Sequence, residues 1–150
     1  MKRYGCYNSP DYPGVCVPRT VVFTQPDGAS YTYTLDGDAM YTVQGSEAMG
    51  CIYYDGPDVP VPWRVHLPRK TLHYNTLGRI QAVYGQGGSG SFTYTYAANG
   101  YEPIKVTNGA GRTIEFTWTN GRVTQVKDPA GGIWTYTYDA DGQLTHAVFA

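Results

Sequence analysis

The sequence predicts an all-β protein, a run of successive antiparallel hairpins forming a twisted, elongated repeat sheet. Three observations predict it. The 150 residues include 15 Tyr, 19 Gly and 10 Pro, with Thr frequent between the tyrosines. Tyr and Thr suit a pleated, half-buried surface, whereas Gly and Pro punctuate it with turns. Aromatic residues alternate with Thr in several segments, the period of two expected of a strand. These segments recur at a nearly constant spacing, the mark of a repeat architecture. Leu, Ala, Glu and Lys nowhere cluster at a helical period, so no helix is predicted.

Four segments open with the alternation: Tyr31–Thr34, Phe92–Tyr96, Ile114–Trp118 and Trp134–Tyr138, with a fainter one at Leu72–Tyr74. Counting from the last aromatic, a glycine follows four residues on in Tyr33/Gly37, Tyr74/Gly78, Tyr96/Gly100 and Tyr138/Gly142, and three on in Trp118/Gly121. A valine stands at offset ten in Val43, Val106 and Val148, at nine in Val83 and at eight in Val126. The anchors Tyr74, Tyr96, Trp118 and Tyr138 are 22, 22 and 20 residues apart.

One unit reads as a hairpin. Alternation puts Trp134, Tyr136 and Tyr138 on one face and the threonines on the other. Asp139-Ala-Asp141-Gly142 reverses the chain, and Asn99-Gly100 and Asn120-Gly121 are sharper turn signals of the same kind. Asn108–Gly111 and Pro129–Gly132 lead from one unit to the next. In the return strands Ile80/Val83, Val123/Val126 and Leu144/Val148 do not alternate strictly. A bulge, a strand buried on both faces and a coiling sheet each account for that. Aromatic rows across stacked hairpins stabilise by number, about 0.2–1 kcal/mol per pair.

The repeat region is expected over residues 20–150, with a weak first unit at 20–50 and clear repeats at 71–150. Residues 1–20, with Pro10, Pro13 and Pro18, read as an irregular cap or loop. Residues 56–68, with Pro57, Pro60, Pro62 and Pro68, read as a crossing that is not a central strand.

The net charge is −1 and 15% of residues are charged, so the basic field that nucleic-acid binding needs is absent. No apolar run approaches the roughly 20 residues of a membrane span. Lys2 and Arg3 are followed by no apolar stretch, so no secretory signal peptide is expected here. Of the three cysteines, Cys6 and Cys16 bracket a proline-rich loop that a disulfide would close in an oxidising compartment; three unpaired thiols are the alternative.

The segment Tyr136-Thr-Tyr138-Asp139-Ala-Asp-Gly142-Gln-Leu144 resembles the YD repeat of the RHS family. The other units are looser: Asn75, Ala97 and Thr119 stand where Asp139 does, and Arg79 and Arg122 follow the turn glycine where the last unit has Gln143. The resemblance covers 71–150 well and 20–43 more weakly. It implies a bacterial, secreted or extracellular setting and a spiral β-sheet wrapped into a hollow shell around a toxin, or an adhesion module in animal relatives. The closing core motif and the variable toxin tail of that family have no match in these residues.

Little in the chain points to chemistry. Asp36-Gly-Asp38 and Asp139-Ala-Asp141-Gly142 lack the further ligands of a calcium loop. His66, His73 and His146 are at no metal-ligand spacing from a cysteine or carboxylate, and Glu47, Glu102 and Glu115 form no recognisable pair. No serine lies in a nucleophile elbow, and Gly87-Gly-Ser-Gly90 lacks the lysine of a phosphate loop. No catalytic residue, metal ligand or cofactor is therefore assigned, and a non-enzyme is expected. Trp118 and Trp134 occupy repeat positions, so Trp63, beside prolines, is the candidate for an exposed ligand contact such as a sugar ring. The expected partners are neighbouring repeats or further copies joined at strand edges, and an enclosed toxin or a glycan. Wall segment, binding module and self-assembling subunit are thus the three functions in view.

Overall fold

The computed structural model describes residues 2–4, 7–8, 16–24, 28–36, 40–42, 50–56, 58–59, 61–88 and 90–150. Two compact units divide the chain, Met1–Gly87 and Gly88–Ala150. The first holds β1 (Lys2–Tyr4), β2 (Tyr7–Asn8), β3 (Cys16–Val17), β4 (Thr20–Thr24), β5 (Ser30–Asp36), β6 (Met40–Thr42), β7 (Cys51–Tyr54), β8 (Trp63–Leu67), β9 (Lys70–Tyr74) and β10 (Ile80–Gly85). The second holds β11 (Phe92–Tyr96), β12 (Pro103–Asn108), β13 (Thr113–Thr119), β14 (Arg122–Lys127), β15 (Ile133–Tyr138) and β16 (Leu144–Phe149). The protein is all-β, and every strand pairing is antiparallel. Neighbours in the sheet are neighbours in sequence, from β4 to β10 in the first unit and from β11 to β16 in the second. The exceptions are β1, which pairs with β4, and the separate β2–β3 pair.

The first unit makes its core from one face of its sheet. Leu35, Tyr41, Ile52, Val65, Leu72 and Val83 lie directly opposite one another from β5 to β10, and Tyr54, Trp63, Tyr74 and Ile80 form a second row. Tyr33, Tyr41, Ile52 and Val65 are fully buried. The ring centroids of Phe23 on β4 and Tyr74 on β9 are 6.3 Å apart. A flat sheet would hold those strands about 24 Å apart at the usual strand spacing. The sheet therefore curls over its own aromatic face, which is how hairpins that cannot fold singly share a dry interior. Burial pushes the Tyr33 phenol above its ordinary pKa.

The second unit has the same grammar without that closure. Tyr94–Val106–Ile114 and Phe116–Val126–Trp134 are straight cross-strand rows on one face. The opposite face carries Thr93–Thr107–Thr113 and Thr117–Gln125–Thr135. No side chain of residues 90–150 is fully buried, and Trp134 on the aromatic face remains 40% exposed.

The irregular return strands are explained by bulges. Tyr74 opposes Ile80 and His73 opposes Ala82, leaving Gln81 as the extra residue. Ile104, Thr124 and Thr145 are extra in the same way beside Tyr96, Trp118 and Tyr138. One added residue flips the side-chain parity after it, so a sequence that fails to alternate still keeps its apolar residues on one face.

Two expectations are corrected. Residues 56–68 do contain a central strand: β8 is paired on both sides, with β7 and β9. Pro62 and Pro68 flank Trp63–Leu67, so neither interrupts its ladder. The cap expected over residues 1–20 contributes strands, since β1 extends the sheet beyond β4. The turn residue Gly37, the repeat position Val43 and Cys6 lie outside the described residues.

Candidate binding surfaces of the repeat sheet

The anchors lie where consecutive hairpins meet. Tyr96 faces Pro103, Trp118 faces Val123 and Tyr138 faces Leu144, each pair bordering the bulge. The polar tip of an anchor then reaches back one hairpin. Trp118 Nε1 donates to the Pro103 carbonyl at 2.8 Å, and the Tyr138 hydroxyl donates to the Val123 carbonyl at 2.7 Å. The acceptor is in each case the residue facing the preceding anchor. Aromatic anchors with a donor tip thus satisfy a carbonyl at the bulge and fix the distance between repeats. At the bulges themselves, the Thr145 hydroxyl donates to the Thr137 carbonyl at 2.9 Å, and Thr124 to the Thr117 carbonyl at 3.4 Å.

The turns share a second device. Asn75, Asn108, Asp128 and Asp139 each accept a backbone N–H through Oδ1, from Arg79, Arg112, Gly132 and Gln143 respectively. In three of the hairpin turns a glycine closes the reversal: Gly78, Gly100 and Gly142 donate to the carbonyls of Asn75, Ala97 and Asp139. Ala97 has no polar side chain to contribute, and Asn99 replaces it by accepting from Tyr101 and Glu102. At Asn120-Gly121 both residues take positive φ, 53° and 73°, as a two-residue hairpin turn requires. The guanidinium of Arg122 then lies over the Tyr138 ring, 5.8 Å from its centroid, and fills the space a Cβ at Gly142 would need. Three of the repeat's marks, the aromatic, the arginine and the glycine, are thereby one contact between successive hairpins.

The valine positions resolve in the same frame. Val106 opposes Tyr94 and Val126 opposes Phe116, both on the aromatic face. Val148 instead opposes Thr135, and Ala147 opposes Tyr136. The turns differ in length, so equal sequence offsets do not mean equal positions, and Val148 stands 57% exposed on the threonine face.

Trp63 is not the exposed contact the sequence suggested. It is 1% exposed, packed against Tyr54 at 4.5 Å and Tyr41 at 5.7 Å between ring centroids. The neighbouring prolines mark the ends of a buried strand, and the indole serves the core. The accessible apolar groups lie elsewhere: Phe92, Ile114 and Trp134 on the second unit's aromatic face, and Leu144, Val148 and Phe149 along β16. Phe149 stacks on Trp134 at 4.9 Å and covers Gly132. Every residue of β16 is exposed.

A polar cluster sits on the face of the first unit opposite its core. Arg64 holds the Asp55 carboxylate through Nε and a terminal nitrogen, which keeps the guanidinium pKa up, and lies 5.6 Å from the Tyr53 ring centroid. A hydrogen bond with Cys51 raises the Tyr53 phenol. His66 meets Tyr53 edge-on at 5.2 Å, and His73 meets Tyr84 at 4.9 Å. In the sequence the two histidines look scattered, because only strand register brings residues so spaced together. Among the described residues, no three or more His, Cys, Asp or Glu side chains group as metal ligands would, and no helix is long and apolar enough to cross a membrane.

The RHS Repeat family model matches residues 118–149, from the Trp118 anchor through β16. No curated protein matches the chain. The matched stretch contains Tyr138, Asp139 and Gly142, and the hairpins before it are built on the same anchors, turns and bulges. The comparison thus identifies an RHS repeat at residues 118–149, the hairpin pair that carries the Trp118 and Tyr138 anchors.

Proposed function

We propose that the chain is a wall segment of an RHS-type shell, providing containment or scaffolding without catalysis in a secreted or extracellular setting. The observation that carries this is the tie between successive hairpins of the second unit, in which Trp118 and Tyr138 each donate to the carbonyl facing the preceding anchor. Such a unit extends a sheet hairpin by hairpin, each burying its neighbour's apolar stripe. The two faces also differ as a wall's should. Tyr94, Phe116, Trp134 and Tyr136 line one and threonines the other. An enclosed chain with its own apolar surface, such as a toxin held unfolded, would meet the aromatic side.

The test uses the natural gene product that contains these residues. Single cysteines at Trp134 and Thr135 sample the two faces of one strand in a background where the native cysteines are serine. A wall gives rapid labelling at position 135 by a bulky maleimide and protection at 134 that denaturant abolishes. Equal labelling at both positions in the native product rules containment out. A second function, self-assembly through open strand edges, is favoured by the exposure of β16 along its length. A glycan-binding module has lost Trp63 as its contact.

A further inference from the structure

The polar face of the first unit carries a cluster that the repeat does not require. Register arranges it in two cross-strand rows, Cys51–His66–Thr71–Tyr84 and Tyr53–Arg64–His73–Ala82, spanning β7 to β10. Three features make its histidines intolerant of charge. His66 Nδ1 lies 3.4 Å from the Thr71 hydroxyl, while its Nε2 is buried and has no hydrogen-bond partner. His73 is directly opposite Arg64. The carboxylate of Asp55 is already engaged at both oxygens by Arg64.

We propose that this cluster is an acid-sensitive latch: with both imidazoles neutral it clasps β7 to β10 together, and their protonation loosens those strands. Protonated at both nitrogens, His66 carries a charge and a buried Nε2–H that meets no acceptor. A proton on His73 sets an imidazolium against a guanidinium across adjacent strands, an arrangement that destabilises a sheet. Around the two rings, β7 contributes Cys51, Tyr53 and, just beyond its end, Asp55; β8 contributes Arg64 and β10 contributes Tyr84. Met40 and Thr42 of β6 bring no charge, and Lys70 belongs to the core-side face, in register with Leu67 and Gly85. Asp55 is thus the only carboxylate among these groups, facing one guanidinium and two imidazoles.

Burial, then Arg64, lowers the pKa of His66, and the same two causes followed by His66 lower that of His73. The unfolded chain therefore takes up protons first as pH falls below about 6.5, the ordinary histidine value. Stability falls from there until the folded-state pKa values are passed, and is level below them. Carboxylates, with ordinary pKa values of about 4, stay largely ionised through this window.

The test is amide hydrogen exchange of β8 and β9 in the purified chain at about pH 7.5 and about pH 5.5, corrected for intrinsic rates, with imidazole titration by NMR. The latch predicts corrected exchange that rises at the lower pH, approaching tenfold for each unit by which a folded histidine pKa lies below its unfolded value. It also predicts that the rise disappears in the double variant H66Q/H73Q and persists in H146Q, whose site is the exposed strand β16. An undiminished rise in the double variant overturns the latch. So does titration of both imidazoles at or above 6.5 in the native chain, a result that needs no variant to fold.

Discussion

At the scale of single residues, the acidic member of the repeat is a turn-former. Asp139 accepts the N–H of Gln143 at 2.8 Å, and its own carbonyl receives Gly142. Asn75 makes the equivalent bond to Arg79 at 2.9 Å, so the turn needs an oxygen at that position and no charge. Asp139→Ala is therefore expected to destabilise the second unit by about 1 kcal/mol, the net worth of such a bond, whereas Asp139→Asn stays within a few tenths. Urea midpoints of the three proteins check this, and an equal loss in both variants would show that charge matters after all. This role was legible from spacing alone, because an Asx side chain and a glycine three residues on act within one turn. The burial of Trp63 was not, since the prolines beside it read the same whether they interrupt a strand or bound one.

At the scale of the hairpin, the anchor and the bulge work as a pair. The anchor's polar tip meets a carbonyl at the preceding hairpin's bulge, as Trp118 meets Pro103 beside the extra residue Ile104. Trp118→Phe keeps an aromatic ring and deletes that donor. We expect a loss of about 1 kcal/mol, more where the stranded carbonyl stays out of water. Exchange at the β12–β13 amides should quicken with no change in the strand content seen by circular dichroism. Unchanged exchange would mean that ring packing alone spaces the repeats. The ion pair between Lys127 and Glu115, at 4.0 Å with both side chains about half exposed, is too weakly held to substitute for such ties.

At the scale of the whole molecule, the two units show what one grammar yields with and without closure. The first curls until Phe23 meets Tyr74 and buries its aromatic rows; the second leaves its rows partly open. The strand β16 adds an exposed edge with Leu144, Val148 and Phe149 more than half in solvent. An edge of that kind recruits further strands unless it is covered. Light scattering with size-exclusion chromatography on the isolated chain is expected to show association that grows with concentration. Val148→Lys, which puts a charge on that edge, should reduce it. A monomer at all concentrations would show that the edge does not recruit another copy.

The sequence by itself determined the strand class, the hairpin turns and the 20–22-residue period of the anchors. Each of these is encoded within a few neighbouring residues: alternation for a strand, Asx and glycine for a turn, recurrence for a repeat. The tertiary structure alone decided what depends on register between strands. It moved the aromatic-face position from Val148 to Ala147, made β8 a central strand, buried Trp63 and set His66 and His73 around Arg64. A turn one residue longer or a single bulge reverses which face a side chain meets. Such parities accumulate along the chain, and only the folded sheet resolves them.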